Sequence, residues 1–309
     1  MKTELTDTTS SKVNAALLDA RRAIGSPTMG MVLTLLVVTD EENAYDAVKA
    51  ASEASREHPC RIIAVIKRHG RAHRRLTPTR LDAELRVGSD AGTGEIILLR
   101  LHGELTSHAG PVVLPLLLPD APVVAWWPAD APAGLGRDEL GSLAQRRITD
   151  AYASLDPLRE LTARADSYAP GDTDLAWTRL TPWRSLLAAA LDQKPAAVTG
   201  AAVESEADNP SAELLASWLA ERLAVPVERV VTDGPVITRV RLQTAQGEIT
   251  VDRPSGALAT LGVPGQPDRR VALKIRSTAE LIAEELRRLT ADETYASALR
   301  RSRQTTLST

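Results

Sequence analysis

MVLTLLVVTDEENAYDAVKAASEASREHPCRIIAVI, residues Met31 to Ile66, decides the fold. Met31 to Val38 is a continuous apolar run of strand length, as expected of a strand buried on both faces. Thr39-Asp40-Glu41-Glu42 has the spacing of a capping box and predicts that a helix opens there. That helix runs to about Glu57 with a narrow stripe of Ala44, Ala47, Val48 and Ala51, small enough to lie close on a sheet. Arg61 to Ile66 supplies the next buried strand, and a strand, helix, strand order favours a right-handed crossover and a parallel pair.

Working outward, Val13, Leu17, Ala20 and Ile24 recur at helical spacing, predicting a helix from Ser10 to about Ala23 before Gly25-Ser26-Pro27. Downstream, Leu81, Ala83, Leu85 and Val87 alternate, and the turn-rich GSDAGTGE leads into Ile96 to Leu101, which predicts a hairpin. PVVAWWP, Pro122 to Pro128, reads as an interior strand, followed by RITDAY and a helix after Pro157. Thr181-Pro182 is a good cap and first-turn pair for a helix carrying Trp183, Leu187 and Leu191.

After Asp192 the stretch QKPAAVTG breaks the pattern. Asn209-Pro210 then opens a helix with Leu214, Leu215, Trp218 and Leu219. Short strands are predicted at Val227 to Thr232, Ile237 to Gln243, Glu248 to Asp252, Ala257 to Leu261 and Arg270 to Ile275. Capping-box spacings at Ser277 with Glu280 and Thr290 with Glu293 open two closing helices. A chain of 309 residues exceeds what one core usually supports. The expected fold class is α/β with two domains, 1–192 and 193–309, each a mixed β-sheet packed with helices, the N-terminal one Rossmann-like in layering.

The formal charge of −3 is nearly balanced, which argues against nucleic acid as a partner. The longest apolar run, Val112 to Trp127, is broken by Pro115, Pro119, Asp120 and Pro122, so no membrane span is expected. The polar start MKTELTDTTSSK lacks the pattern of a secretory signal, and a cytoplasmic location is expected. Cys60 is the one cysteine, at the start of an apolar run; it reads as a buried thiol, with a mixed-disulfide role as the alternative.

Motifs for chemistry are sparse. GSDAGTGE fits neither dinucleotide nor P-loop spacing and precedes a strand where a helix would be needed. His69 and His73 have Gly70 between them and cations around them, and His102 and His108, which Glu104 could join, have Gly103 and a loop-like spacing, so no metal and no cofactor are expected. The stretch KRHGRAHRR places Lys67, Arg68, Arg71, Arg74 and Arg75 together, an anion-attracting loop or a solvated one. No catalytic residue emerges, which favours a binding or regulatory protein over an enzyme.

Several strings together resemble the glucose-6-phosphate dehydrogenase assembly protein family of actinobacteria and cyanobacteria. They include EASREHPCRIIAV, LDAELRVGSDAGTGE, VLPLLLPDAPVVAWWP, LAQRRITDA, GDTDLAWTRLTPWRSLLAAALD, VDRPSG, PGQPDRRVAL and AEELRRL. The resemblance implies a non-catalytic protein that binds glucose-6-phosphate dehydrogenase, promotes its assembly into an active oligomer or activates it, and so supports the oxidative pentose phosphate pathway. Cyanobacterial relatives resemble redox-responsive proteins through paired cysteines; Cys60 alone supplies no intramolecular switch. The alternative is a sensor that receives a sugar phosphate or nucleotide on the loop 67–75.

Adjacent strand residues point to opposite faces, so Trp126 and Trp127 cannot enter the same core layer. Either each fills a layer, or one is exposed and anchors the dehydrogenase with Trp177 and Trp183, among Arg146, Arg147, Arg179 and Arg184.

Overall fold

The computed structural model describes residues 1–25, 30–68, 78–88, 94–192, 196–234, 236–254 and 257–306. It is an α/β protein with one eight-stranded and one six-stranded mixed sheet, each packed with helices. Two compact units share the chain. The first comprises Met1–Thr149, Ala169–Thr173 and Thr278–Ala291, and the second Asp150–Tyr168, Asp174–Ser277 and Asp292–Thr309. This division departs from the single boundary expected between residues 192 and 193. The helix carrying Trp183, Leu187 and Ala190 belongs to the second core, and a late helix returns to the first unit.

The first unit contains β1 (Lys2–Leu5), α1 (Ser10–Ile24), β2 (Leu33–Thr39), α2 (Ala44–Ala54), β3 (Cys60–Lys67), β4 (Arg80–Val87) and β5 (Glu95–His102). After these come α3 (Gly110–Val113), β6 (Val123–Trp126), β7 (Arg146–Thr149), β8 (Asp172–Asp174) and, late in the chain, α8 (Thr278–Leu286). Its strand order is β1-β4-β5-β3-β2-β6-β7-β8. Within it β5, β3, β2, β6 and β7 run parallel, with the first of them central, the doubly wound order of Rossmann-type sheets. As expected, β4 and β5 form an antiparallel pair, and PVVAWWP supplies an interior strand.

Every residue of β2 is buried, because helices cover both faces. On one side α1 contributes Val13, Leu17 and Ala20 to a core with Leu36, Ile63 and Leu99. On the other, α2 lays its small residues against β2 and β3, with α8 packed beside it. The capping box expected at Thr39 does not form. Thr39 ends β2, and α2 starts only at Ala44, because Asp40 accepts from the Asn43 backbone at 2.8 Å and ties the intervening residues into a turn.

The second unit contains α4 (Pro157–Ser167), α5 (Leu175–Thr178), α6 (Thr181–Leu191), β9 (Val198–Ser205), α7 (Pro210–Leu223) and β10 (Val227–Val231). It continues through β11 (Ile237–Thr244), β12 (Gly247–Asp252), β13 (Leu258–Gly262) and β14 (Arg269–Ala272) to α9 (Glu293–Thr306). Its sheet has the order β10-β9-β11-β12-β13-β14, parallel only at β9 and β10. One face, with Val203, Val240, Leu242, Ile249 and Leu261, packs with Leu215, Leu219 and Leu299. On the other, Arg239 and Arg241 reach the carboxylates of Glu204 and Asp252 on neighbouring strands. Asn209 caps α7 as expected, accepting from the Ala212 N–H at 2.8 Å. Asp292 caps α9 instead of Thr290, accepting from Thr294 and Tyr295. Among the described residues no helix is long and apolar enough to cross a membrane.

Candidate functional site

The adjacent tryptophans occupy two layers. Trp126 is 1% and Trp127 2% exposed. Trp127 joins Leu36, Val38, Leu135 and Leu140, and Trp126 points to the opposite side of the strand. Gly141 permits this seating, because a Cβ there would lie 1.9 Å from the Leu135 carbonyl oxygen and 3.2 Å from the Trp127 ring. Trp177 and Trp183 are 1% and 2% exposed in the second core. None of the four indoles is exposed, which departs from the surface anchor expected as the alternative: Trp126 and Trp127 are covered on both sides of the sheet, and Trp177 and Trp183 pack from α5 and α6 into the second core.

Each of the neighbouring arginines has partners within the protein. Arg146 is buried; its guanidinium grips Glu285 and donates to the Thr290 carbonyl at 2.9 Å, fastening the α8 segment to the first sheet. Arg147 pairs with Asp172 and donates to the Ala144 carbonyl at 2.8 Å. Arg184 lies 3.8 Å from the Trp177 ring centre, and Arg179 forms a two-pronged pair with Asp150 at 2.7 and 2.8 Å while stacking 4.7 Å over Tyr152.

Two of the expected residues, Arg179 and Trp183, come together in a pocket of the second unit with Tyr152, Arg253, Lys274 and Arg276. Its space is about 430 Å³ including the open mouth. The lining carries four cations and, among the described residues, no carboxylate. Arg253 is only 6% exposed. Its Nη atoms donate to the Leu273 and Ile237 carbonyls at 3.2 and 2.9 Å, its guanidinium stacks 4.9 Å over Trp183, and its Nε has no acceptor. Burial lowers the Arg253 pKa from its ordinary value, with Tyr152 and Glu206 opposing. Burial also pushes Tyr152 up to about 12, the hydrogen bond with Ser211 working the other way. Arg253 sits in the string VDRPSG, but nothing in the sequence signals that it meets Tyr152 and Lys274, because six separate segments must converge.

In the first unit a crevice, about 870 Å³ with its open mouth included, lies where the strand order reverses, beyond β2 and β6, the place where doubly wound folds take dinucleotides. Its residues do not fit that cofactor. The turn after β2 has no glycine, and among the described residues Asp40, Asp130 and Asp138 line the crevice against the single cation Lys67; these carboxylates repel a pyrophosphate.

Of the expected anion-binding loop, Lys67 lines this crevice and Arg68 pairs with Glu41 at 2.8 Å; Arg71, Arg74 and Arg75, like His69 and His73, lie outside the described residues. His102 is buried 3.2 Å from Asp82, and His108 is exposed and hydrogen-bonded to the Glu104 carbonyl. Cys60 is fully buried, and burial pushes its thiol up to about 12.

A second surface feature of the first unit was not singled out by the sequence. Tyr45, 78% exposed, stands on α2 beside a groove whose charged lining is Lys49, Arg56, Arg86 and Arg100 together with Glu41 and Glu53; Arg86 pairs with Glu84 and Arg100 with Glu41. Tyrosine and arginine are the residues in which binding energy concentrates at protein interfaces.

Comparison with known proteins gives matches over both halves of the chain. Residues 51–166 match the N-terminal domain, and residues 170–299 the C-terminal domain, of the family described as the glucose-6-phosphate dehydrogenase subunit. A Synechocystis sp. protein described as the OxPP cycle protein OpcA is 31% identical over 138 residues, which is 42% of this chain and 29% of that relative's length. Among solved structures, the chain is similar to a 3-ketoreductase of Actinomadura kijaniata, with a TM-score of 0.48 and 10% identity over 89% of this chain and 96% of that one. An oxidoreductase of Sinorhizobium meliloti gives a TM-score of 0.41 and 10% identity, covering 89% of each chain.

Proposed function

The chain belongs to the glucose-6-phosphate dehydrogenase assembly family, and from that membership we propose that it is a non-catalytic partner of the dehydrogenase, binding it and favouring its active oligomer. The observation that carries this reading is the pair of matches to the two domains of that family, which together span most of the chain. Activation then needs no chemistry from this protein: a partner with higher affinity for the competent state shifts the population toward it.

The acidic crevice supports the same reading, since a fold with this strand order that repels a pyrophosphate is unsuited to nicotinamide-dependent hydride transfer. We assign the partner-facing role to the Tyr45 groove, because the tryptophans expected to serve it are core residues. Lys49 and Arg56, exposed along the same groove as the ring, suit a partner surface that offers carboxylates. Size-exclusion chromatography of the dehydrogenase with this protein tests the reading: a shared, earlier peak supports it, and independent elution across salt concentrations refutes it.

A further inference from the structure

A guanidinium withdrawn from water needs compensation, normally from a carboxylate. Arg253 has none within ion-pair distance among the described residues. Two carbonyls and the Trp183 ring hold its plane but leave its charge uncancelled. Glu206 acts on it only from farther off, and one Glu206 oxygen accepts from Asn209 at 2.8 Å. Arg179 is neutralised by Asp150; Lys274, on the exposed rim, and Arg276, half-buried and donating to the Thr178 carbonyl, line the same pocket. Ser211 brings the first turn of α7 to the pocket, adding the positive end of a fourteen-residue helix.

We propose that this pocket binds a phosphomonoester, with the phosphoryl group among Arg253, Lys274 and Arg276 and the carbon body against Leu180, Pro182 and Ile275. A phosphoryl group is favoured over a carboxylate because it brings close to two negative charges and three oxygens to a site with several cations. The apolar rim, where Ile275 is 59% exposed, provides a face for the rest of the ligand. Val236 at the same rim has φ of 58°, a left-handed conformation costly for a β-branched residue, and strain of that kind gathers at binding sites. The site is independent of the dehydrogenase reading and does not involve the loop 67–75.

Thermal unfolding and calorimetry of the full chain test it, with inorganic phosphate, glucose 6-phosphate, glucose and glutarate as probes at matched ionic strength. Inorganic phosphate and glucose 6-phosphate are expected to bind saturably and raise Tm by ~5 °C at a hundredfold excess over Kd, whereas glucose does nothing. Arg253→Met, which removes an unpaired buried charge, is expected to keep its unliganded Tm and lose the response. Lys274→Glu, on the exposed rim, is expected to fold normally and weaken phosphate at least about tenfold. Absence of saturable phosphate binding, or unaltered binding by Lys274→Glu, overturns the site. A glutarate response equal to that of phosphate overturns the phosphomonoester assignment and makes the pocket a socket for an acidic side chain.

Discussion

The Trp177 indole N–H donates to the Asp292 carboxylate at 2.9 Å, across 115 positions of sequence, and so ties α5 to the start of α9. Burial alone would raise the Asp292 pKa, but this bond, the Tyr295 and Thr294 N–H groups and the Arg184 charge together hold it below its ordinary 3.8. A carboxylate depressed in the folded state adds stability that is complete above the unfolded value and is lost as pH falls through the folded one. Trp177→Phe should therefore cost about 1.5–3 kcal/mol at pH 7. In urea unfolding series the gap to the parent should narrow as pH falls below 3.8.

Trp126→Ala and Trp127→Ala should each cost about 3–5 kcal/mol, since both remove a buried indole from a covered sheet. Any loss of function in these variants should track loss of fold, as read by circular dichroism. A well-folded Trp127→Ala protein of parental stability would contradict the packing described above.

Arg146 and Glu285 are both buried and depend on one another. Removing either alone should destabilise by about 3–5 kcal/mol, because it leaves the other charge unpaired in the interior. The double variant Arg146→Met with Glu285→Leu should recover much of that loss, which a denaturant cycle measures directly.

Cys60, at about 12, carries almost no thiolate at pH 8. A disulfide reagent should leave the native protein unlabelled and modify one thiol per chain in denaturant. Oxidants below the unfolding threshold should leave its behaviour unchanged. Rapid native labelling would place the thiol nearer the surface than it is in the fold.

Tyr45→Ala should leave stability within about 0.5 kcal/mol, because the ring is exposed. It should weaken association with the dehydrogenase roughly thirtyfold or more, as expected for a central aromatic anchor. Surface-plasmon titration of the variant reads this directly.

Much of the architecture was legible where the local pattern and the tertiary environment agree. The run through β2, the alanine stripe of α2 and the run through β3 predicted a parallel pair, and they form one. Three strands escaped, β1, β8 and β9. In β1, Lys2 and Glu4 alternate with Thr3 and Leu5, and the segment is held only by pairing to the β4 edge, so it carries little apolar signal. In β9, Thr199, Gly200, Ala201 and Ala202 look like a linker, yet the strand lies between β10 and β11.

The candidate sites were less legible than the fold. WWP and DLAWTRLTPWR were conspicuous as strings, and the expectation of an exposed anchor followed from that prominence. Their residues instead build cores and buried ion pairs. The pocket at Arg253 depends on topology, because Tyr152, the α5–α6 junction, the start of α7, the start of β11, the residue after β12 and the segment after β14 must meet. No local spacing encodes such a meeting.

The most direct measurement of the central claim is the activity and solution mass of the same organism's glucose-6-phosphate dehydrogenase, titrated with this protein. The account predicts that activity rises to a plateau at a fixed molar ratio, with a matching shift to a larger assembly that contains both chains. Unchanged activity and mass across substrate and salt conditions would contradict it.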